Sequence, residues 1–234
     1  MYDDTFPTAL VVLGFAAFAA FVVIAIVLTL RAQQKRREAL LQLALQLGAE
    51  FYAEDHFNID SRADWREEFS QGHSRRVSNV ISGRMDDWDL KTCDFHYKTG
   101  SGKNESSHSV SAILLDTGLL FPTLTIRPET VFDRIAGVVG YNDIDFESDE
   151  FSRKFFVRSA DKRFAYGIVH PKMMEFLLAD PKWSLRLSWQ SLILHNNRIL
   201  TPEEFRYAID LGRSFLKLMP DYLREELRKT QETV

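Results

Sequence analysis

RVSNVISGRMDDWDLKTCDFHYKTGSGKNESSHSVSAILLDTGLLFPTLTI, from Arg76 to Ile126, is the stretch whose spacing decides the fold class. It holds four β-rich runs, 76–83, 88–99, 108–115 and 123–126, separated by Asp, Gly, Asn and Ser residues that favour turns. Short connectors between successive strands make hairpins, and hairpin strands are antiparallel. In the second run the apolar residues fall at Trp88 and Leu90 and then at Cys93, Phe95 and Tyr97. That change of phase near Thr92 predicts a β-bulge.

Towards the C-terminus, Pro128 and the spacing of Val131, Ile135 and Val138 predict a helix ending at Gly140. Two strands are expected over 151–159 and 163–169, then a helix opened by Pro171 and carrying Met174, Leu177 and Leu178. The run WSLRLSWQSLILHNN, 183–197, alternates and is expected to fold back as a hairpin near Gln190 and Ser191. TPEE at Thr201 supplies an N-cap, a proline at N1 and Glu204 at N3, a capping box. Phe205, Ala208, Ile209, Gly212, Phe215 and Leu216 form the buried face of the helix that follows, which Pro220 ends. The charged tail, 220–234, has few apolar residues and is expected to fray.

Towards the N-terminus, 51–72 is ambiguous, with a short helix around Trp65 and Phe69 as its best reading. Before it, EALLQLALQLG puts Leu40, Leu43 and Leu47 on one helical face, with Gly48 at the C′ position. This juxtamembrane segment, 31–50, reads as a stalk helix that packs on the domain or on a neighbour. The fold class is therefore α+β: an N-terminal transmembrane helix, then a domain over 51–219 with a largely antiparallel sheet and about four helices. A fragment of residues 40–219 is long enough for its own core and is expected to fold without the anchor.

The anchor itself is ALVVLGFAAFAAFVVIAIVLTL, 9–30, without one charge. As a helix it spans about 33 Å, enough for a bilayer core of about 30 Å. The leader MYDDTFPT, 1–8, has no Lys or Arg, unlike the basic start of a cleaved secretory signal. Arg31, Lys35, Arg36 and Arg37 follow the span and no cation precedes it. By the positive-inside rule the leader is extracytoplasmic and the domain cytoplasmic, at the inner membrane. Cys93 stands alone, so no intramolecular disulfide forms.

Residues 38–234 carry 25 basic and 31 acidic side chains, a balance that argues against nucleic acid as a partner. The four cations after the span are candidate lipid-headgroup contacts, each worth about 1 kcal/mol near an anionic leaflet. A topology signal is the simpler reading of them. Asp143 and Asp145 share a face of an extended chain and are the candidate metal site, although the D-x-D-x-D-G pattern of a calcium loop is missing and a solvated loop is preferred. Cys93 and His96 point to opposite faces of a strand and lack further ligands. GSGKNESS, 100–107, differs from a phosphate loop because Lys103 is followed by Asn104 and then by a strand; it reads as a hairpin loop. Arg75 and Arg76, with Arg84 nearby, could engage a lipid headgroup or an acidic partner, but a solvated edge is the preferred reading, and no nucleophile elbow is present.

The succession RRVSNVISGRM, DFHYKTG, FPTLTIRPE, DIDF with FSRKFFV, HPKMMEFLL and TPEEF resembles an uncharacterised family of bacterial single-span membrane-anchored proteins, over most of residues 40–218. The resemblance implies a bacterial membrane protein and supplies no activity or site residues. The function expected is a membrane-tethered cytoplasmic binding or scaffolding domain with a protein partner, no cofactor and no catalytic signature. The alternatives are a metal-dependent hydrolase using Asp143 and Asp145, and an anionic-lipid-sensing module.

Overall fold

The alternating runs pair into one antiparallel sheet of six strands. The structure is a computed structural model that describes residues 5–62, 64–65, 69–70, 72–129, 144 and 146–232. Strands β1 (Glu50–Glu54), β2 (His73–Met85), β3 (Trp88–Thr99) and β4 (Ser106–Pro128) follow one another across the sheet. The two runs expected at 108–115 and 123–126 are a single strand, β4, with an irregularity between Asp116 and Phe121 where Gly118 takes φ +75°. Its first half pairs with β3; its second half pairs with β5 (Phe155–Ser159), which takes up the line that β3 has left. Along the other edge of β4 runs β6 (Ser184–His195).

The hairpin expected near Gln190 is therefore absent. Trp189 interrupts the alternation at φ +52°, and β4 absorbs the mismatch by its extra residues opposite, so the strand bends and continues. The bulge expected at Thr92 lies instead in β2, where the register shifts between Ser78 and Ile81 and Asn79 has φ +52°. Strand β3 changes phase for another reason: both faces of the sheet are covered there. Leu90 belongs to one core with Ile81, Ile113 and Leu115, while Cys93 and Phe95 belong to a second with Trp65, Phe69, Val110 and Ala112.

Six helices are present among the described residues. Helix α1 (Thr5–Leu47) runs without a break from the apolar stretch into the stalk. It is long and apolar enough to cross a membrane, and the single polar residue of that stretch, Thr29, donates its hydroxyl to the carbonyl of Ala25 at 2.8 Å. Gly48, at φ +64°, ends it in a Schellman motif: Ala49 N–H bonds Ala44 O at 2.9 Å and Gly48 N–H bonds Leu45 O at 3.2 Å. Leu40, Leu43 and Ala44 are buried against the sheet. Each such leucine contributes about 2 kcal/mol of burial.

Residues 151–154 belong to a short helix, α2 (Asp149–Lys154), so the strand expected from 151 begins only at Phe155. The strand expected at 163–169 is helix α3 (Lys162–Ile168), because Asp161 caps Phe164 N–H at 2.9 Å and Phe164, Ala165 and Ile168 make a helical stripe. Then come α4 (Pro171–Leu178) and α5 (Pro202–Leu218), the second opened by the full Thr201/Glu204 capping box and burying all six residues read from its sequence. The tail does not fray as expected but forms α6 (Asp221–Glu232), with Leu223 and Leu227 one turn apart and buried. The helix expected over 128–140 lies outside the described residues from 130 onward, and only a helical pair at 64–65, with Phe69 N–H on Trp65 O at 2.8 Å, is described of the one around Trp65.

Candidate functional site

Positions 33, 36, 37, 40, 43, 44 and 47 form one stripe of α1, at the 3-4-3 spacing of a helix face. Its lower part is the apolar contact with the sheet; its upper part is polar. On β3, Asp94 shares a face with Leu90 and Thr92 and is 1 % exposed, so a buried carboxylate meets the helix one turn above Leu40. Arg36 answers it with a bidentate pair: Nε donates to Oδ2 and Nη2 to Oδ1, both at 2.7 Å. The same carboxylate accepts from Asn79 Nδ2 at 2.8 Å and Ser111 Oγ at 2.6 Å, while Arg36 Nη1 donates to Leu200 O at 2.9 Å. Leu200 N–H closes the ring on Ser111 Oγ at 3.0 Å. The Asn79 bulge aims an amide at this carboxylate, and one ion pair ties α1 to β2, β3, β4 and the segment before α5.

Above that junction the same sheet face stays polar and opens as a cleft of about 400 Å³ between α1 and the strands. Register builds its floor in rows: Arg76 beside His96 beside Ser109, then Lys98 beside Ser107. Gln33, Arg36 and Arg37 form the helix wall. His96 Nδ1 pairs with Ser109 Oγ at 2.8 Å and Nε2 with Ser78 Oγ at 3.2 Å. Burial pushes its imidazole below the usual histidine range; Asp94 opposes the shift, and Arg76 and Arg36 add to it. Lys98 pairs with Glu105 at 2.7 Å. Among the described residues, Arg37 and Arg76 take part in no ion pair, so the cleft carries two unneutralised guanidinium groups and several hydroxyls.

A second clamp lies along the sheet. Arg62 donates to both oxygens of Asp116 at 2.8 and 2.9 Å, to Asp64 and to Ser191, whose hydroxyl also donates to Asp116. Burial would raise the Asp64 carboxyl, but hydrogen bonds from the Arg62 guanidinium and the Trp65 amide outweigh it and hold it below its ordinary value.

Of the residues singled out in the sequence, Arg36 is drawn into the junction, Arg37 lines the cleft, and Arg31 and Lys35 stay exposed on the helix. Asp143 and Asp145 lie outside the described residues, and among those described no group of three His, Cys, Asp or Glu could hold a metal ion. Cys93 and His96 do face opposite ways; the thiol is fully buried, and burial pushes its pKa well up. Residues 100–105 form the β3–β4 hairpin loop, with Gly100 and Gly102 at positive φ. Asp94 was missed as a site residue, while Arg76, read first as a solvated edge with a lipid headgroup or acidic partner as the alternative, lines the cleft. A carboxylate between Cys93 and Phe95, in the most apolar stretch of β3, was the available signal.

These features define a class: an α+β domain with an antiparallel sheet, fastened to a long N-terminal apolar helix. No protein-family model matches the chain, and no curated protein is similar to it in sequence. Among solved structures it is similar to the crystal structure of the mycobacterial trehalose monomycolate transport factor A, TtfA. The likeness has a TM-score of 0.55 at 12 % identity and covers 81 % of this chain and 97 % of that one. At that identity it shows a shared fold.

Proposed function

We propose that this chain is a membrane-tethered binding or scaffolding domain without catalytic machinery of its own, an accessory factor to the transport of a membrane lipid. The observation that carries the reading is the continuity of α1: the apolar stretch runs into the stalk and the stalk is locked to the sheet through Arg36 and Asp94. A domain held by a rigid rod keeps a fixed orientation relative to its own anchor and stays close to the bilayer, which suits presentation of a surface to a membrane partner and not release of a soluble product. The name of the fold neighbour, a trehalose monomycolate transport factor, supports the transport class. The resemblance to bacterial single-span proteins supports the setting. In this reading residues 1–8 are extracytoplasmic and the domain lies in the cytoplasm at the inner membrane.

Two experiments test it. Alkaline phosphatase fused after Val234 is expected to be inactive, since it needs export; an active fusion reverses the topology. Cross-linking of the full chain in intact membranes is expected to recover an integral membrane protein, and Asp94→Ala, which loosens the domain on its rod, is expected to reduce that yield. Recovery of the chain alone overturns the accessory role.

A further inference from the structure

We propose that the cleft at the root of α1 binds the phosphate of an anionic lipid headgroup, with Arg37 and Arg76 as its two cationic arms. The inference rests on α1 being the membrane anchor but not on the existence of a protein partner.

Position is the first argument. Gln33 and Arg37, which line the cleft, lie three and seven residues beyond Leu30, the last residue of the apolar stretch, or about 5 to 10 Å along the helix axis. The headgroup layer of a bilayer is itself about 5 to 8 Å thick on each side. The cleft thus opens at the depth where lipid phosphates lie.

Charge is the second. Among the described residues Asp94 is the one carboxylate in the lining, and Arg36 neutralises it at 2.7 Å on both oxygens. Arg37 from the helix and Arg76 from the sheet approach the same space from two sides, and neither is in an ion pair among the described residues. A guanidinium pair is suited to the bidentate geometry of phosphate. Ser74, Ser107 and the His96 row add hydroxyl and imidazole groups that hydrogen-bond a phosphodiester or the polyol beyond it.

Construction is the third. The cations of this site come from helix and sheet elements that the buried Arg36–Asp94 pair holds together, so the cleft is preformed. Arg31 and Lys35, although nearer the span or on the same turn, lie outside it and serve as an internal control.

The test uses the full chain in dodecyl maltoside, titrated with phosphatidylglycerol or phosphatidylcholine, with bound lipid counted by native mass spectrometry. Phosphatidylglycerol is expected to bind about tenfold more tightly than phosphatidylcholine, and Arg37→Gln with Arg76→Gln to abolish that preference, whereas Arg31→Gln with Lys35→Gln keeps it. Thermal unfolding of each variant confirms that it is folded, since both target side chains are exposed and take part in no ion pair among the described residues. Equal binding of the two lipids, or a preference that survives loss of Arg37 and Arg76, overturns the proposal. Saturation by inorganic phosphate with no lipid preference also overturns it, pointing to a soluble phosphate ligand. Extraction of membranes with carbonate reports anchoring separately, so a failure of the tethered reading is told apart from a failure of the site.

Discussion

Asp94 sits between Cys93 and Phe95 with 1 % of its surface exposed, where a polar group without partners carries a large desolvation penalty. Four donors on three other segments remove that penalty. Asp94→Ala leaves Arg36 partly buried and unpaired, and the expected loss is about 3 kcal/mol, read as a lower urea midpoint of the full chain in detergent. Arg37→Ala, one residue along the same helix, is expected to change that midpoint by less than about 0.5 kcal/mol, because nothing in the fold depends on it. The pair of variants separates the residue that fastens the helix from the residue that faces the cleft. Arg37 was legible in the sequence as a cation after an apolar span. Its neighbour's role was not, because the partner of Arg36 lies 58 residues away and a charge run carries no record of which member turns inward.

At the scale of the element, α5 shows how much local chemistry can fix. Thr201 Oγ1 accepts from Glu204 N–H at 3.3 Å and the Glu204 carboxylate accepts from Thr201 N–H at 2.9 Å. Thr201→Ala is expected to lower stability by about 1 kcal/mol. The Arg198 guanidinium, and then the Thr201 amide, hold the Glu204 carboxyl down at about 2. The folded value lies below the usual 4.5, so ionised Glu204 stabilises the fold above that pH and its contribution is lost as pH falls from about 4.5 towards about 2. Glu204→Gln should flatten the melting temperature across that window, measured by calorimetry, while keeping the cap hydrogen bond. Every signal for this helix lies within its own residues, which is why its cap, face and end could be read directly. Strand β6 was misread for the opposite reason: the break at Trp189 is set by the extra residues of β4 facing it, and a strand cannot announce its partner's bulge. Helix α3 was misread because seven residues are too few for periodicity to outweigh β-favouring Phe164, Tyr166 and Ile168.

The whole molecule has boundaries other than those its composition suggests. A fragment of residues 40–219 drops Arg36 from beneath Asp94 and removes α6, whose Leu223 and Leu227 are part of the main core. A fragment of residues 33–232 keeps both. It is expected to exceed the shorter one by about 3 kcal/mol or more in urea unfolding, and equal midpoints would show that neither the ion pair nor α6 contributes. The stalk is, in this sense, a part of the domain.

One unbroken helix also makes a lever. In the tethered arrangement proposed above, the upper part of α1 lies in the bilayer and its tilt is set by how the apolar length matches the local hydrocarbon thickness. Between Leu30 and Leu47 the rod extends about 26 Å, so a change of tilt of about 10° swings its foot sideways by roughly 4 Å. No Pro or Gly lies between Leu30 and Leu47 to absorb that motion, and the Arg36 clamp passes it to the sheet. In that arrangement a thinner or thicker membrane is converted into a sideways displacement of the whole domain.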